Sequence, residues 1–382
     1  MSSEEIIRLS RSIVGEQEAA AVAEVITRDG YLGMGKEVQA FEKDLADYLG
    51  VPADWVVSVN TGTAALHLAV AAVAGPGDDV LTQSLTYVAT FQAVAAAGAR
   101  PLACEVYPDS VTIDLQDAAR RLTPNSRVVM PVHYASYPGD LDAVYDFAKS
   151  NNLRVIEDAA HALGCTYKGR KIGSFGDIAC FSFDGIKNIT SGEGGAVVTS
   201  DPEVVRFVQD ARLLAVLRDT EKRFQGQRSW EFDVTHQGYR YHMSNIMAAI
   251  GRVQLSRFER EFAPSRRGLA ARYRERLSGV PHLTFFKSDP ENVVPHLLPV
   301  RIGAGHRDRL RQYLEDHKVQ TGIHYKPNHL LSYFGGGAER LPVSETLYGE
   351  LLSLPLHPGL DREKIDRVCD LTAEYLTGVS EK

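Results

Sequence analysis

The sequence has few cysteines, and their spacing fits neither a disulfide framework nor a metal site. The four are scattered along the chain, with no Cys-x-x-Cys pair: Cys104, Cys165, Cys180 and Cys369. This pattern is typical of reduced, buried thiols in a cytosolic protein, so we expect a cytoplasmic location. No carboxylate or cysteine is spaced to complete a metal site with the histidines, so we expect no bound metal.

A leader segment and a long apolar run are also lacking. The first residues, "MSSEEIIRLS", have neither a basic segment nor an apolar stretch, so we expect no signal peptide. The most apolar stretch, "TAALHLAVAAVAGPGDDV", is interrupted by His67 and ended by a Gly-Pro-Gly sequence. Its length and composition predict a buried helix rather than a membrane span.

The chain has no excess of positive charge. Lys and Arg total 42 and Asp and Glu total 49, which gives a net charge of −7 at pH 7. Binding to nucleic acid depends on a basic surface that displaces counterions, so this composition argues against a nucleic-acid partner. A small basic pocket for an anionic ligand is still compatible with it.

Short apolar runs alternate with helical patterns over the first two thirds of the chain. The predicted strands are "WVVSVN", "DVLTQ", "RPLACEV", "SRVVMPVH", "LRVIEDAA", "DIACFSF" and "GAVVTS". The helical patterns between them include "TGTAALHLAVAAV", "ATFQAVAAAG" and "DLDAVYDFAKSNN". This alternation predicts an α/β fold with a mostly parallel sheet covered on both faces, and ligands bind such sheets at the carboxyl ends of the strands.

The pattern changes near Met243. A long helical periodicity begins there, followed by a β-rich stretch interrupted by prolines and a final helical pattern after Asp361. We therefore predict a large domain over residues 1–250 and a smaller C-terminal α+β domain over residues 251–382. The chain is long enough for both.

Three strand ends carry groups that could bind a ligand. Thr61, Gly62 and Thr63 open a helix whose free N–H groups can bind phosphate, although a threonine that merely caps the helix is the simpler explanation. Asp158 ends a strand and, taken alone, is best explained as a helix cap. Lys187 lies in "SFDGIKNITSGEGG"; most lysines in loops are surface charges. A Walker-type phosphate loop is excluded, because there the glycines precede the lysine and Ser or Thr follows it directly.

Taken together, these groups match the needs of pyridoxal 5'-phosphate (PLP). A lysine forms the Schiff base, a carboxylate pairs with the protonated pyridine nitrogen, and helix N–H groups and hydroxyls bind the phosphate. Lys187, Asp158, Ser182 and the turn at residues 61–63 can all meet at one edge of the predicted sheet.

Six segments together resemble a known family. They are "GYLGMGKEVQAFEKDLADYLG", "NTGTAALHLA", "TYVATFQAV", "VMPVHYASYPGDLDAV", "VIEDAAHALGCTYKGRKIGSFGDIACFSFDGIKNITSGEGGAVVT" and "GYRYHMSNIMAAIGRVQL". Over almost the full length, the chain resembles the DegT/DnrJ/EryC1/StrS family of PLP-dependent sugar aminotransferases. The resemblance implies the aspartate-aminotransferase-like architecture called fold type I.

The resemblance also implies roles around the cofactor. Lys187 corresponds to the family's Schiff-base lysine, Asp158 to the carboxylate on the pyridine nitrogen, and Tyr87 to the side chain stacked on the ring. His161 corresponds to a residue beside the cofactor. The implied phosphate-binding residues are Gly62, Thr63, Ala64 and Ser182.

Two further segments are implied to complete the site. "GYRYHMSN" is similar to a segment that reaches across a homodimer interface, and its Arg240 stands where many relatives have asparagine. A guanidinium can bind phosphate through two hydrogen bonds, so Arg240 suits that role. "GIHYKPNHLLSYF" resembles the segment that approaches the sugar, which makes His324, Tyr325 and His329 candidate substrate contacts. The alternative is that its histidines are loop residues without a functional role.

The implied reaction transfers an amino group from L-glutamate to a 3-keto- or 4-keto-6-deoxy nucleotide sugar, for O-antigen, glycan or natural-product glycosylation. Lys187, once released from the cofactor, would be the base for the proton shift. A related sugar 3-dehydratase has histidine at the lysine position, so Lys187 argues against that activity. An aminotransferase that forms a cyclitol or an amino-benzoate is compatible with the same pattern. A non-catalytic relative is disfavoured because Asp158, Ser182 and Lys187 are all retained.

Overall fold

The computed structural model describes residues 5–380 of the chain. The helices are α1 (Glu16–Glu24), α2 (Lys36–Leu49), α3 (Gly62–Val73), α4 (Val88–Ala96), α5 (Leu115–Arg120), α6 (Leu141–Ser150), α7 (Pro202–Ala211), α8 (Asp219–Phe224), α9 (Asn245–Arg257), α10 (Ala263–Leu277), α11 (Arg307–Asp316), α12 (Pro342–Glu350) and α13 (Arg362–Ser380). The strands are β1 (Val56–Val59), β2 (Asp79–Gln83), β3 (Arg100–Cys104), β4 (Ser126–Met130), β5 (Arg154–Asp158), β6 (Thr166–Tyr167), β7 (Arg170–Lys171), β8 (Ile178–Ser182), β9 (Gly195–Thr199), β10 (Leu283–Phe285), β11 (Leu298–Ile302) and β12 (Leu351–Leu354).

Among the described residues, the largest sheet has seven strands in the order β1-β9-β8-β5-β4-β2-β3. The strands β8, β5, β4, β2 and β3 pair in parallel, whereas β9 is antiparallel to both of its neighbours. The strand β1 therefore runs in the same direction as β8. The predicted α/β fold with a mostly parallel sheet is confirmed, and the carboxyl ends of β1, β2, β5 and β8 lie at one edge.

Both faces of this sheet are buried. On β8, Ile178 and Cys180 pack in the same core as α3, whereas Ala179 and Phe181 pack on the opposite face in the core that contains α2. Successive side chains of a strand point to opposite faces, so a strand covered on both sides is apolar throughout. This explains why the predicted strands are continuous apolar runs rather than alternating ones.

A second, antiparallel sheet consists of β10, β11 and β12. With α10, α11 and α13 it has a core of its own, which Ile7 from the N-terminal segment joins. Residue 250, near which the sequence predicts a domain boundary, lies inside α9, and α9 packs on α1 and α2. The division into residues 1–250 and 251–382 stays a prediction. Within residues 5–380, no helix is long and apolar enough to cross a membrane.

A buried ion pair ties α2 to the large sheet. Glu42 Oε1 accepts hydrogen bonds from the backbone N and the Oγ of Ser58 at 2.9 Å each, and Arg212 Nη1 donates to the same oxygen at 2.6 Å. Arg212 follows α7, is 0% exposed and also donates to Ser58 O at 2.6 Å. Each charge is removed from water and depends on the other for compensation.

Removing the cation should therefore destabilise the fold strongly. We expect Arg212→Met to lower the free energy of unfolding by about 3–5 kcal/mol, because the carboxylate of Glu42 stays buried without its partner. Urea unfolding followed by circular dichroism measures this, and the double variant Glu42→Gln/Arg212→Met should recover part of the loss. Lys43→Met, which breaks an exposed pair with Asp47 on the same helix, is the control and should leave the midpoint unchanged. Equal losses in Arg212→Met and Lys43→Met would contradict this account.

Candidate active site

A cleft opens at the edge of the large sheet where β1, β2, β5 and β8 end. It encloses about 1240 Å³ out to its mouth, and we call it the central cleft. It is lined by Thr61, Gly62, Thr63, Leu66, Thr86, Tyr87, Ala89, Thr90, Val132, Asp158, Ala160, His161, Ser182, Asp184, Ile186, Lys187, Glu193, His296, Leu297, His324 and Tyr325. Most of the site residues predicted from the sequence belong to this set, because the strands that carry them end at the same edge.

The start of α3 forms one end of the central cleft. Thr61 is the N-cap, and its Oγ1 accepts from Ala64 N at 2.9 Å, so this N–H is not free for a ligand. Within residues 5–380, the N–H groups of Gly62 and Thr63 have no protein acceptor. Ser182 approaches so closely that a Cβ on Gly62 would lie 2.6 Å from Ser182 Cβ. Two free N–H groups, the helix dipole and the Ser182 hydroxyl are the kinds of group that can bind an anion such as phosphate.

Asp158 ends β5 with its side chain in the central cleft, and the residue is 5% exposed. Thr90 Oγ1 donates to its Oδ2 at 2.8 Å, and Ala160 N donates to its Oδ1 at 3.2 Å. Burial raises the pKa of Asp158, because the carboxylate form loses its hydration. Among residues 5–380 no cation lies within ion-pair distance of it, so a cationic group of a ligand is the partner that would keep it ionised.

Lys187 lies in the loop after β8, where its backbone N donates to Asp184 O at 3.1 Å. Its side-chain nitrogen forms no hydrogen bond or ion pair in the described part of the chain. Burial lowers the pKa of Lys187 to about 8, although Asp158 and Asp184 attract the ammonium form. A neutral, nucleophilic amine is therefore available at mildly alkaline pH.

Three histidines and a tyrosine form another wall of the central cleft. Tyr325 Oη lies 3.3 Å from His161 Nε2, and the rings of His161 and His296 have centroids 4.6 Å apart. His324 Nδ1 lies 2.8 Å from Ser353 Oγ. Burial lowers the pKa of His324 to about 4 and the pKa values of His161 and His296 well below their usual range. These imidazoles are thus neutral near pH 7 and can exchange hydrogen bonds with uncharged groups.

The chemical groups of the central cleft fit PLP. The anion site at α3 suits the phosphate, Asp158 suits a protonated ring nitrogen, and the Lys187 amine suits the aldehyde. Tyr87 is 56% exposed beside Tyr325, with ring centroids 5.5 Å apart, and offers a face to a planar ligand. A bound cofactor would supply the partners that these polar groups do not have within residues 5–380.

Three residues with predicted roles do not line the central cleft of this chain: Ala64, His329 and Arg240. His329 is buried, with Nδ1 2.8 Å from Ser84 Oγ and Nε2 3.4 Å from Glu345 Oε1. Its ring joins two protein segments, so its position does not support the predicted substrate contact. Arg240 is exposed, and its backbone forms a bridge with Leu213. No group of three or more His, Cys, Asp or Glu residues in the described chain is arranged to hold a metal ion.

Five polar residues that line the central cleft have no role predicted from the sequence: Thr86, Thr90, Asp184, Glu193 and His296. Thr90 belongs to "TYVATFQAV", one of the segments that resemble the family, but its hydrogen bond to Asp158 arises only when β5 and α4 pack together. His296 lies two residues before β11, in the proline-interrupted stretch. The only signal for it was the histidine itself, next to Pro295.

Comparisons with known proteins identify the family of this chain. The profile of the DegT/DnrJ/EryC1/StrS aminotransferase family matches residues 12–372. The chain is 35% identical over 373 residues to the dTDP-4-dehydro-2,3,6-trideoxy-D-glucose 4-aminotransferase of Saccharopolyspora spinosa, which covers 96% of this chain and 95% of that protein.

Solved structures give the same result. The aminotransferase TlmJ from Streptoalloteichus hindustanus superposes with a TM-score of 0.91 at 34% identity, covering 98% of this chain and 100% of that chain. Spr1654 from Streptococcus pneumoniae, solved in a PLP form and a PMP form, superposes in its PMP form with a TM-score of 0.89 at 27% identity, covering 99% and 100%. The chain belongs to the DegT/DnrJ/EryC1/StrS aminotransferase family.

Proposed function

We propose that this protein is a PLP-dependent aminotransferase that moves an amino group from L-glutamate to a keto-6-deoxy nucleotide sugar. The observation that carries the proposal is the presence of Lys187 and Asp158 in one cleft, beside the anion site at the start of α3. The relative from S. spinosa is named for a dTDP-linked 4-dehydro sugar, which supports a nucleotide-linked keto sugar, with the keto group at C4 or C3, as the acceptor.

The residues that would hold PLP follow from the geometry of the central cleft. The N–H groups of Gly62 and Thr63 and the hydroxyl of Ser182 would bind its phosphate. Asp158 would accept a hydrogen bond from the protonated ring nitrogen, and Tyr87 would cover one face of the ring. When bound, PLP supplies an electron-withdrawing ring that stabilises negative charge developing on the neighbouring substrate carbon.

The side-chain amine of Lys187 would have two roles. Its neutral Nζ, populated because burial lowers the pKa of Lys187 to about 8, would attach the cofactor covalently. Once the donor amino acid has displaced it, the same Nζ would take the proton from the substrate carbon and return it during the shift that completes transfer.

In the wall of the central cleft, His324 and Tyr325 would face the sugar, and His161 would lie beside the cofactor. The imidazoles are neutral and the tyrosine is protonated, because burial lowers the pKa of the histidines and raises the pKa of Tyr325. Neutral donors and acceptors suit the hydroxyl and keto oxygens of a sugar, which carry no charge.

The first prediction concerns Lys187. The wild-type protein, given PLP, L-glutamate and a panel of nucleotide-linked 3-keto and 4-keto sugars, should form 2-oxoglutarate and an amino sugar, both detectable by mass spectrometry. Lys187→Ala should lower turnover by about 10³-fold or more, because it removes both the attaching amine and the base. Borohydride reduction should fix PLP to the peptide that contains residue 187 in the wild type only.

Lys149→Ala, which removes an exposed lysine on α6, is the matched control and should keep both turnover and the fixed cofactor. Wild-type turnover in Lys187→Ala would refute the role of this lysine. No transfer to any sugar of the panel would refute the proposed acceptor class.

The second prediction concerns Asp158. Asp158→Asn should keep the fold, because Asn can still accept the hydrogen bond from Ala160 N, but should reduce kcat by about 10²- to 10³-fold. Truncating one charge of a buried pair costs about 2–5 kcal/mol, and here it leaves the ring nitrogen without its counter-charge. Steady-state kinetics at saturating PLP measure the effect.

Thr90→Val is the control for Asp158→Asn, since it removes the hydrogen bond to Oδ2, together with one between Thr90 Oγ1 and Thr86 Oγ1 at 3.2 Å, and retains the carboxylate. We expect less than a tenfold decrease from the loss of these hydrogen bonds. If Asp158→Asn turned over at the wild-type rate, Asp158 would be a backbone cap and nothing more.

The third prediction concerns a homodimer with shared sites, in which Arg240 would reach the phosphate bound by the partner. Arg240 is exposed in this chain and does not line its central cleft, which supports a contact across an interface. Light scattering should give the mass of a dimer. Arg240→Ala should stay folded yet lose PLP on dialysis, whereas Arg309→Ala, which removes an exposed arginine on α11, should retain it.

Mixed dimers distinguish a site shared between two chains from a site built within one chain. In a dimer of one Lys187→Ala chain and one Arg240→Ala chain, a shared arrangement leaves one complete site, with its Lys187 on the Arg240→Ala chain. After dialysis and borohydride reduction, PLP should be found on that chain. PLP missing from both chains would mean that Arg240 serves the site of its own chain.

A further inference from the structure

Arg266, near the start of α10, is a buried cation that has no carboxylate partner within residues 5–380. It is 2% exposed, and in this part of the chain its guanidinium donates only to backbone carbonyls. Nη1 lies 3.3 Å from Pro295 O, 3.2 Å from His296 O and 3.4 Å from Leu356 O, and Nη2 lies 3.5 Å from Lys187 O. One side chain thus contacts segments that are far apart in the sequence.

This arrangement costs free energy that an apolar residue would not. Burial lowers the pKa of Arg266 to about 10, because the cation has lost its hydration without gaining an anion. A buried charge is often replaceable by an apolar residue of similar volume at no loss of stability. The rigid fork of the guanidinium, however, spreads five donors over three nitrogens and can reach carbonyls that are far apart, whereas lysine has three donors on one atom and an apolar residue has none.

Two of the carbonyls belong to residues whose side chains line the central cleft. Lys187 follows β8 of the large sheet, and His296 precedes β11 of the small sheet. The residue after the lysine strengthens the same connection, because Asn188 Nδ2 donates to Leu163 O and Val294 O at 3.1 Å each. The loop that contains Lys187 is therefore joined to the segment that contains His296 by hydrogen bonds from both Arg266 and Asn188.

We propose that Arg266 is a positioning residue for Lys187. Its guanidinium holds the backbone of the lysine at a set distance from the His296 segment, so that Nζ meets the cofactor and the substrate in one orientation. The inference rests on the proposed function, since it takes Lys187 as the point of covalent attachment. Arg266 itself does not line the central cleft and acts through these two neighbours.

Two substitutions of Arg266 and a matched control test this role. Arg266→Met removes all four hydrogen bonds, and Arg266→Lys keeps a cation that cannot span the four carbonyls. Arg307→Met is the control: Arg307 is 7% exposed and donates to Tyr348 O and Leu351 O at 3.0 and 3.1 Å, and neither residue lines the central cleft. Both buried arginines contribute to the fold, but only one touches the segment of Lys187.

The readout is the rate at which added PLP becomes attached to Lys187, followed by borohydride quenching and mass spectrometry well below the melting temperature. We expect Arg266→Met to slow attachment and to lower kcat about 10- to 100-fold, with a smaller change in KM, because a small displacement of a reacting group has effects of this size. Arg307→Met should lower the melting temperature and attach PLP at the wild-type rate.

Wild-type attachment and kcat in Arg266→Met would overturn the proposal, as would an equal loss in Arg307→Met. If Arg266→Met does not fold, Arg266→Lys decides, with slower attachment expected and a wild-type rate contradicting the role. A wild-type protein that attaches no PLP at Lys187 would instead overturn the proposed function on which the inference rests, so the two failures are distinguishable.

Discussion

The start of α3 lies in close contact with the carboxyl end of β8 and the first residue of β9, and this contact shapes the central cleft. Two glycines make it possible. A Cβ at Gly62 would lie 2.6 Å from Ser182 Cβ, and a Cβ at Gly195 would lie 2.4 Å from Thr61 O. Side chains do not approach each other or the backbone this closely, so a larger residue at either position would displace α3 from the sheet. The free N–H groups of α3 would then no longer share an anion site with the Ser182 hydroxyl, whatever residues lay around them.

Burial gives the central cleft its chemical character. It raises the pKa of Asp158 and lowers the pKa of Lys187 to about 8, which favours the uncharged form of each. It also lowers the pKa values of the nearby histidines, including His161 and His296. Such a cleft favours a ligand that brings a cation to Asp158 and an anion to the free N–H groups of α3, and a cofactor with a cationic ring nitrogen and a phosphate does so.

The small sheet contributes to the central cleft through the chain segments next to its strands rather than through the residues of its core. His296 and Tyr325 come from the chain around β11 and β12, and Arg266 on α10 binds the carbonyl of Lys187. The position of the lysine thus depends on an arginine that follows it by many residues. Substitutions far from the lysine in sequence can for this reason alter its reactivity while the large sheet stays intact.

Local patterns in the sequence determined the order of strands and helices and the residue types at the strand ends. Each strand of the large sheet is a short apolar run and each helix has its own periodicity, so neighbouring residues suffice to recognise them. Asp158, Ser182 and Lys187 could be assigned to one edge, because parallel strands end on the same side.

Only the tertiary structure decided which distant groups meet. It brought Thr90 and His296 to the central cleft, took His329 out of it, and let Thr61 occupy the N–H of Ala64. It also brought Arg266 to the backbone of Lys187. These contacts depend on how separate elements pack, and the packing of two elements leaves no periodic trace in the sequence of either one.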